Sequence, residues 1–199
     1  MPGRVAIALL GPVGWHPPGV DPAAWRRALA EDVVDLLATL QEIEPAVAVV
    51  REDRGLAEAV AWPGMPVYAV SALDLRSVFG AAADDGYAEA VALAGDAPDL
   101  PGLVVGKLLR PLTTRTLSVA VAEGGGAGLL GVACRLPAPD WVPAIDLDLG
   151  TVAALRSAAP RPADVATAPS WRRLRGPGDL AGLDPGLEGW DATRALLSA

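Results

Sequence analysis

The sequence Ala94-Gly95-Asp96-Ala97-Pro98-Asp99-Leu100-Pro101 decides the fold of this chain, because it marks where a buried strand ends and a helix follows. An apolar run at residues 90–93 precedes it, and a second apolar pattern starts at Gly102. Open α/β sheets place ligands at the carboxyl ends of their strands, where such carboxylate-bearing turns occur. The stretch therefore predicts an α/β fold with Asp96 at a ligand-facing strand end.

Spacing alone leaves two interpretations of the carboxylates in this stretch. Asp96 is either an oxygen ligand for Mg²⁺ or Mn²⁺ beside a phosphate, or an ordinary turn residue. Asp99 either belongs to the same site or caps the helix that begins near Gly102. Asp residues often punctuate turns, so the spacing by itself favours the turn and cap interpretation.

Strand and helix patterns alternate along the chain. The apolar run at residues 5–10 predicts a strand buried on both faces, and Asp21-Pro22 begins a helix predicted over residues 22–42. Residues 169–190 are rich in glycine and proline, and we expect mostly loop there. The alternation predicts a mostly parallel sheet in a three-layer α/β/α single domain spanning residues 1–199. Further strands are predicted at residues 46–50, 66–70, 88–94, 117–122, 129–136 and 165–168.

The composition argues against several classes of protein. The 199 residues carry 16 basic and 24 acidic side chains, and the formal net charge of −8 argues against binding to nucleic acid or anionic membranes. No apolar run reaches the roughly 18 residues of a membrane span, and the N-terminal run is too short for a signal peptide. We therefore expect a cytoplasmic protein. Cys134, the only cysteine, lies in an apolar run and is predicted to be a core residue.

The stretch from Asp96 to Pro101 resembles the G-S-D-C-P-D-L-P signature of small bacterial glycosyltransferase-A-like proteins, a nucleotide-diphospho-sugar transferase-like family. Relatives of that family include the molybdenum-cofactor and phospholactate guanylyltransferases. The resemblance covers residues 4–183 loosely and is specific only near Asp96. It implies the nucleotide-diphospho-sugar transferase fold, a nucleotide or nucleotide-sugar ligand, and Asp96 as the residue that holds the nucleotide's Mg²⁺ or Mn²⁺. Glycosyl or nucleotidyl transfer is the activity it implies.

The loop after the first strand departs from the family pattern. The family carries a basic loop, typically ending Lys-Thr-Arg-Leu, that grips phosphates; here residues 11–18 read G-P-V-G-W-H-P-P. By its position the loop faces the ligand crevice, so Gly11, Trp15 and His16 are candidate binding residues. Trp15 and His16 could hold a base or sugar ring. The alternative is a rigid, proline-locked loop whose Trp15 covers the sheet edge.

Two further departures affect the acidic positions of the family. Its D-G-G-Y-Y-L-I-G motif corresponds to residues 124–131, where Gly124 replaces the Asp, and Glu123 is the candidate second carboxylate for metal binding and catalysis. The glycines at 124–126 could also approach a phosphate, although a hairpin turn is the simpler interpretation. In W-Y-D-V-D-T-P-E-D-L, aligned with residues 171–180, both Asp positions of the D-V-D segment are arginines here, Arg173 and Arg175.

These departures leave two hypotheses for function. In the first, an active transferase uses Asp96 and Glu123 to hold the metal. In the second, a degenerate family member binds a small anion, a protein partner or a second copy of the chain. Arginine stays ionised and cannot ligate Mg²⁺, so Arg173 and Arg175 would supply the charge of the cation and at least one would point at Asp96.

One more acidic pair is a weaker candidate for a metal site. Asp146 and Asp148 alternate within residues 145–149, which read as an extended segment with both carboxylates on one face. Such a face either binds a cation or is simply solvated, and the solvated face is the default.

Overall fold

The computed structural model describes residues 3–124 and 128–198, and eight strands within them form the sheet. Its order is β3-β2-β1-β4-β6-β5-β7, and β8 pairs with the end of β5. The strand β6 runs antiparallel to β4 and β5, while the other pairings are parallel. The strands are β1 (Arg4–Leu9), β2 (Glu44–Val50), β3 (Val67–Val70), β4 (Glu89–Ala94), β5 (Leu117–Glu123), β6 (Leu129–Arg135), β7 (Val165–Thr167) and β8 (Trp171–Arg172).

Helices cover both faces of this sheet and confirm the predicted three-layer α/β/α architecture. The helices α1, α2 and α4 pack on one face, and α3 and α5 pack on the other. Alternate residues of β1 serve the two layers, since Ile7 belongs to one core and Ala8 to the other. The helices are α1 (Pro22–Thr39), α2 (Arg54–Val60), α3 (Leu75–Asp84), α4 (Gly102–Leu109), α5 (Val152–Ala158), α6 (Pro177–Leu180) and α7 (Asp191–Ser198).

The long helix α1 begins as its sequence predicts. The Asp21 carboxylate accepts a hydrogen bond from the Ala24 amide at 2.8 Å, and Pro22 stands at the first helical position. Helix α7 packs against α1, and the first turn of α7 donates two backbone hydrogen bonds to the buried Asp32 carboxylate of α1. The chain's last helix is therefore fixed to α1 by a side chain 160 residues away.

One predicted segment differs in the structure and another agrees. Residues 169–190 are mostly loop, as predicted, and contain the short elements β8 and α6. Residues 145–149 form a turn instead of an extended segment, because the Asp146 carboxylate accepts the Leu149 amide at 2.7 Å and closes the chain on itself. Asp146 and Asp148 therefore do not share a strand face. Of the predicted glycine turn at 124–126, Gly125 and Gly126 lie outside the described residues.

The remaining structural predictions concern Cys134 and membrane spans. Cys134 is fully buried, and burial raises the pKa of its thiol to about 12, so the prediction of a core cysteine is confirmed. Within residues 3–124 and 128–198, no helix has both the length and the apolar character to span a membrane.

Candidate functional site

A cleft of about 520 Å³ opens at the carboxyl ends of β1, β2, β3 and β4. Gly11 and Asp96 both line it, because they follow β1 and β4, which pair in parallel. This is the position where open α/β sheets bind ligands, and the volume suits a small molecule. The loop after β3, the N-terminal half of α1 and the segment before α5 supply most of the remaining wall.

Gly95 allows the end of β4 to lie directly against the end of β1. Its amide donates to the Leu9 carbonyl at 3.1 Å, and a Cβ at this position would lie only 2.7 Å from that carbonyl oxygen. No larger side chain fits without separating the two strands. Gly95 thus places the next residue, Asp96, at the wall of the cleft with 5% of its surface exposed.

Both carboxylate oxygens of Asp96 are bound by Arg173. Arg173 Nε lies 2.5 Å from Oδ1 of Asp96 and Nη2 lies 2.9 Å from Oδ2, while Nη1 donates to the Leu129 carbonyl at 3.0 Å. The two side chains are each 7% exposed. The Leu174 amide also donates to the Asp96 carbonyl at 2.8 Å, so the backbone fixes the same alignment. This is the paired-fork geometry that arginine and carboxylate form most strongly.

A second carboxylate and a second guanidinium join this pair. Arg173 Nη1 lies 2.8 Å from Oδ1 of Asp148, and Arg175 Nη2 contacts the same oxygen. Arg175 Nε lies 3.5 Å from Oδ2 of Asp96. The prediction that a guanidinium points at Asp96 therefore agrees with the structure. The four side chains, which we call the Asp–Arg cluster, carry two negative and two positive charges and are neutral together.

Asp99 lies beside this cluster but faces away from the cleft. Its side chain is fully buried, with Oδ1 accepting from Trp171 Nε1 at 3.1 Å and Oδ2 lying 3.2 Å from Arg172 Nη1. Burial raises the pKa of the Asp99 carboxyl, while the Trp171 hydrogen bond and the Arg172 charge oppose that shift. The cap interpretation of Asp99 is wrong, since α4 has no side-chain cap and begins after Pro101.

The other predicted site residues lie outside the cleft wall. The exposed Glu123 carboxylate accepts from Ser170 Oγ at 2.6 Å at the far end of β5. Trp15 packs edge-on against the buried Trp25 with ring centroids 6.0 Å apart, which fits the alternative of a covering tryptophan. His16 is exposed, and its Nδ1 lies 3.2 Å from the Pro17 carbonyl oxygen. Glu123, Trp15 and His16 are not among the residues that line the cleft.

The Asp–Arg cluster does not fit a divalent cation. Mg²⁺ and Mn²⁺ take carboxylate oxygens as ligands, and both oxygens of Asp96 already accept from Arg173. The fixed positive charges of Arg173 and Arg175 oppose a cation at the same point. In the described part of the chain, no group of three His, Cys, Asp or Glu side chains is placed to hold a metal ion.

Sequence reasoning missed Arg26, which reaches the cleft from α1. Its Nε donates to the Gly11 carbonyl at 2.9 Å, and its Nη2 donates to the Leu10 carbonyl at 2.8 Å and to Asp53 at 2.5 Å. The signal was present but indirect: a helix that follows the first strand begins beside that strand's carboxyl end, so an arginine early in it can reach back to the crevice.

No protein-family model matches the chain, and no curated protein matches it. Solved structures do match over its full length. A protein provisionally assigned as a nucleotide-diphospho-sugar transferase from Desulfovibrio desulfuricans G20 is 22% identical, with a TM-score of 0.69 over 100% of this chain and 98% of that one.

Two further structures show the same architecture. The 4-diphosphocytidyl-2C-methyl-D-erythritol synthase from Anaerococcus prevotii is 12% identical, with a TM-score of 0.64 over 98% of this chain and 96% of that one. Rv0371c from Mycobacterium tuberculosis H37Rv, solved in complex with manganese, is 17% identical, with a TM-score of 0.55 over 100% and 99% of the two chains. Identities this low establish the architecture alone, and on these matches the chain has the nucleotide-diphospho-sugar transferase fold.

Proposed function

We propose that this protein binds a nucleotide or nucleotide-sugar in the cleft without a divalent metal and does not catalyse metal-dependent transfer. The observation that carries the proposal is the bidentate, buried pairing of Arg173 with Asp96. It places a guanidinium against the carboxylate that the sequence resemblance assigns to the metal.

Charge balance supports a metal-free site. Arg173 and Arg175 together carry the formal charge of one divalent cation, and they neutralise Asp96 and Asp148 at the cleft wall. An anionic ligand therefore meets less repulsion at the cleft wall than the two carboxylates alone would exert. A guanidinium, however, only donates hydrogen bonds and charge, whereas a metal ion also acts as a Lewis acid and orients the leaving group.

Displacing Arg173 from Asp96 by a metal ion would cost free energy. Removing Arg173 from Asp96 leaves a carboxylate and a guanidinium that are each 7% exposed without their partner. Breaking a buried pair of this kind typically costs about 3–5 kcal/mol, which a metal would have to offset before it contributed to catalysis.

The lining of the cleft supports a ligand with an apolar part and an anionic part. It includes aliphatic side chains that suit the faces of a base, among them Val50 and Leu56. It also includes the charged side chains of Arg26, Asp96 and Arg173. A nucleotide combines the same two characters, a planar base and a charged phosphate.

A metal-dependent transferase is the second candidate, and one observation favours it. Asp96 and Asp148 both contact the guanidinium of Arg173, so departure of that side chain would leave two carboxylates facing one point. In this form Asp148, rather than Glu123, would be the second carboxylate. Rv0371c, which has the same fold, has been solved in complex with manganese, and this is a second reason to test the candidate.

Calorimetry of nucleotide binding with and without metal tests the proposal. Ribonucleotides and nucleotide-sugars are titrated into the wild type, into Asp96→Asn, and into Asp140→Asn as an exposed control of equal charge change. We expect binding in EDTA that added Mg²⁺ or Mn²⁺ does not strengthen. Binding that requires the metal in wild type and is lost in Asp96→Asn would establish the second candidate instead.

A further inference from the structure

The guanidinium of Arg26 is held in place on one side and has unused donors on the other. Nε and both N–H groups of Nη2 are taken by the Gly11 carbonyl, the Leu10 carbonyl and the Asp53 carboxylate. The two N–H groups of Nη1 make no hydrogen bond to any residue in the described ranges. The side chain lines the cleft and is 22% exposed.

This arrangement is prepared for an anion. Three hydrogen bonds already fix the rotamer of Arg26, so a ligand would not have to order a flexible side chain. The other arginine on the cleft wall, Arg173, has four of its five N–H groups directed at Asp96, Asp148 and the Leu129 carbonyl, and its side chain is only 7% exposed. Of the two arginines in the described lining of the cleft, Arg26 is therefore the more exposed, and it has a whole Nη1 group left for a ligand.

We propose that Arg26 binds the phosphate of the ligand through Nη1 and gives the cleft its preference for phosphorylated nucleosides over unphosphorylated ones. This inference rests on the proposed function, because it names the residue that selects the charged part of that ligand. The proposal gives Arg26, a residue of α1, the charged contact to the phosphate. The loop at residues 11–18 cannot make that contact, because it holds no Lys or Arg.

Asp53 modulates this contact. Its carboxylate lies 2.5 Å from Nη2 of Arg26 and is 30% exposed, so its negative charge opposes an incoming phosphate at the same guanidinium. Removing that charge while keeping the size of the side chain should strengthen phosphate binding. If the Arg26–Asp53 pair only shaped the cleft, the same change would weaken binding or leave it unaltered.

Calorimetry in EDTA, with the four ribonucleosides and their 5′-mono- and diphosphates as probes, tests the inference. The variants are Arg26→Gln, Asp53→Asn and, as the matched control, Arg27→Gln. Arg27 is the next residue of the same helix, is 56% exposed and, within the described residues, forms an ion pair with Glu31 alone, at 3.8 Å. Thermal unfolding of each variant confirms that the fold is retained.

We expect Arg26→Gln to weaken nucleotide binding about tenfold or more, as loss of a charged hydrogen bond does, with nucleoside binding unchanged. Asp53→Asn should strengthen nucleotide binding, and Arg27→Gln should match the wild type. Equal weakening of nucleoside and nucleotide in Arg26→Gln, or no weakening, overturns the role of Arg26 while the proposed function stands. A wild type that binds no nucleotide overturns both.

Discussion

Asp96 and Asp148 share one guanidinium, that of Arg173, although they lie on different segments of the chain. Nε and Nη2 of Arg173 bind Asp96, and Nη1 lies 2.8 Å from Oδ1 of Asp148. The carboxyl end of β4, the turn before α5 and the segment after β8 therefore meet at a single side chain. That side chain joins the cleft wall, and together with Arg175 it neutralises the two carboxylates.

Replacing Arg173 by methionine should lower the free energy of unfolding by about 3–5 kcal/mol, because the buried Asp96 would lose both bidentate hydrogen bonds and keep only the longer contact to Arg175. Urea denaturation measures the change. The double variant Asp96→Leu with Arg173→Met should be more stable than Arg173→Met alone, since an apolar pair leaves no buried charge. A double variant no more stable than the single one would contradict this account of the pair.

Replacing Gly95 by alanine should destabilise the protein by about 1–3 kcal/mol, because the added Cβ must push the ends of β1 and β4 apart. That Cβ would lie 2.7 Å from the Leu9 carbonyl oxygen. Gly106→Ala is the control, since nothing lies within 4 Å of its Cβ and it sits inside α4. The control should be neutral or slightly stabilising, and equal losses in both variants would refute the close-approach argument.

Replacing Asp32 by alanine should loosen α7, because its Ala192 and Thr193 amides each donate to that carboxylate at 2.9 Å. Loss of an equivalent cap costs about 1–2 kcal/mol. Hydrogen exchange at residues 192–198 should accelerate in Asp32→Ala. In the control Asp35→Ala, which removes an exposed bond to Trp62, it should not. Unchanged protection of α7 in Asp32→Ala would show that other contacts hold it.

The Asp99 carboxyl makes the free energy of unfolding depend on pH. The direction of that dependence shows whether burial or the ion pair has the larger effect on the pKa of Asp99. Because burial raises its pKa in the folded protein, the folded state holds the proton up to a higher pH than the unfolded state. The stabilisation from that proton is present below the unfolded pKa, about 3.9, and is lost as pH rises through the folded value.

The free energy of unfolding of the wild type, minus that of Asp99→Asn, should therefore fall as pH rises above about 4 and then level off. Urea denaturation of both proteins between acid and neutral pH measures this difference. A difference that grows with pH would mean that Arg172 outweighs burial and that the carboxylate form stabilises the fold.

The architecture could be predicted from the sequence because the patterns that mark its strands and helices are local. The cap at Asp21, the apolar strand runs and the break at Gly95 each act within a few residues of themselves, so α1 and the end of β4 were predictable. The site was less predictable, because its contacts cross the chain. Arg173 could be placed beside Asp96 only through the family resemblance, since 77 residues separate the pair.

Contacts that no local pattern marks account for the differences between the expected and the observed surroundings of these residues. The expectation for Glu123 rests on its closeness in sequence to a missing Asp, and in the structure its carboxylate accepts a hydrogen bond from Ser170. Asp148 was assigned to a strand face, whereas the turn closed by Asp146 delivers it to Arg173. A turn of this kind depends on one side-chain hydrogen bond. The alternation of apolar residues at 145–149 gives no sign of that bond and predicts an extended segment instead.

Manganese binding to the wild type and to a variant that restores carboxylates tests the central claim most directly. Electron paramagnetic resonance of free Mn²⁺ would be recorded for the wild type, for Arg173→Asp with Arg175→Asp, and for the exposed pair Arg115→Asp with Arg156→Asp as the control of equal charge change. Circular dichroism verifies the fold of each variant.

If the two arginines replace the metal, the wild type and the control bind no Mn²⁺ specifically and the restored variant gains one site. The opposite result is one Mn²⁺ bound by the wild type and lost on Asp96→Asn. That result would contradict the account, because it would show Asp96 ligating a metal that, on this account, Arg173 replaces at both carboxylate oxygens.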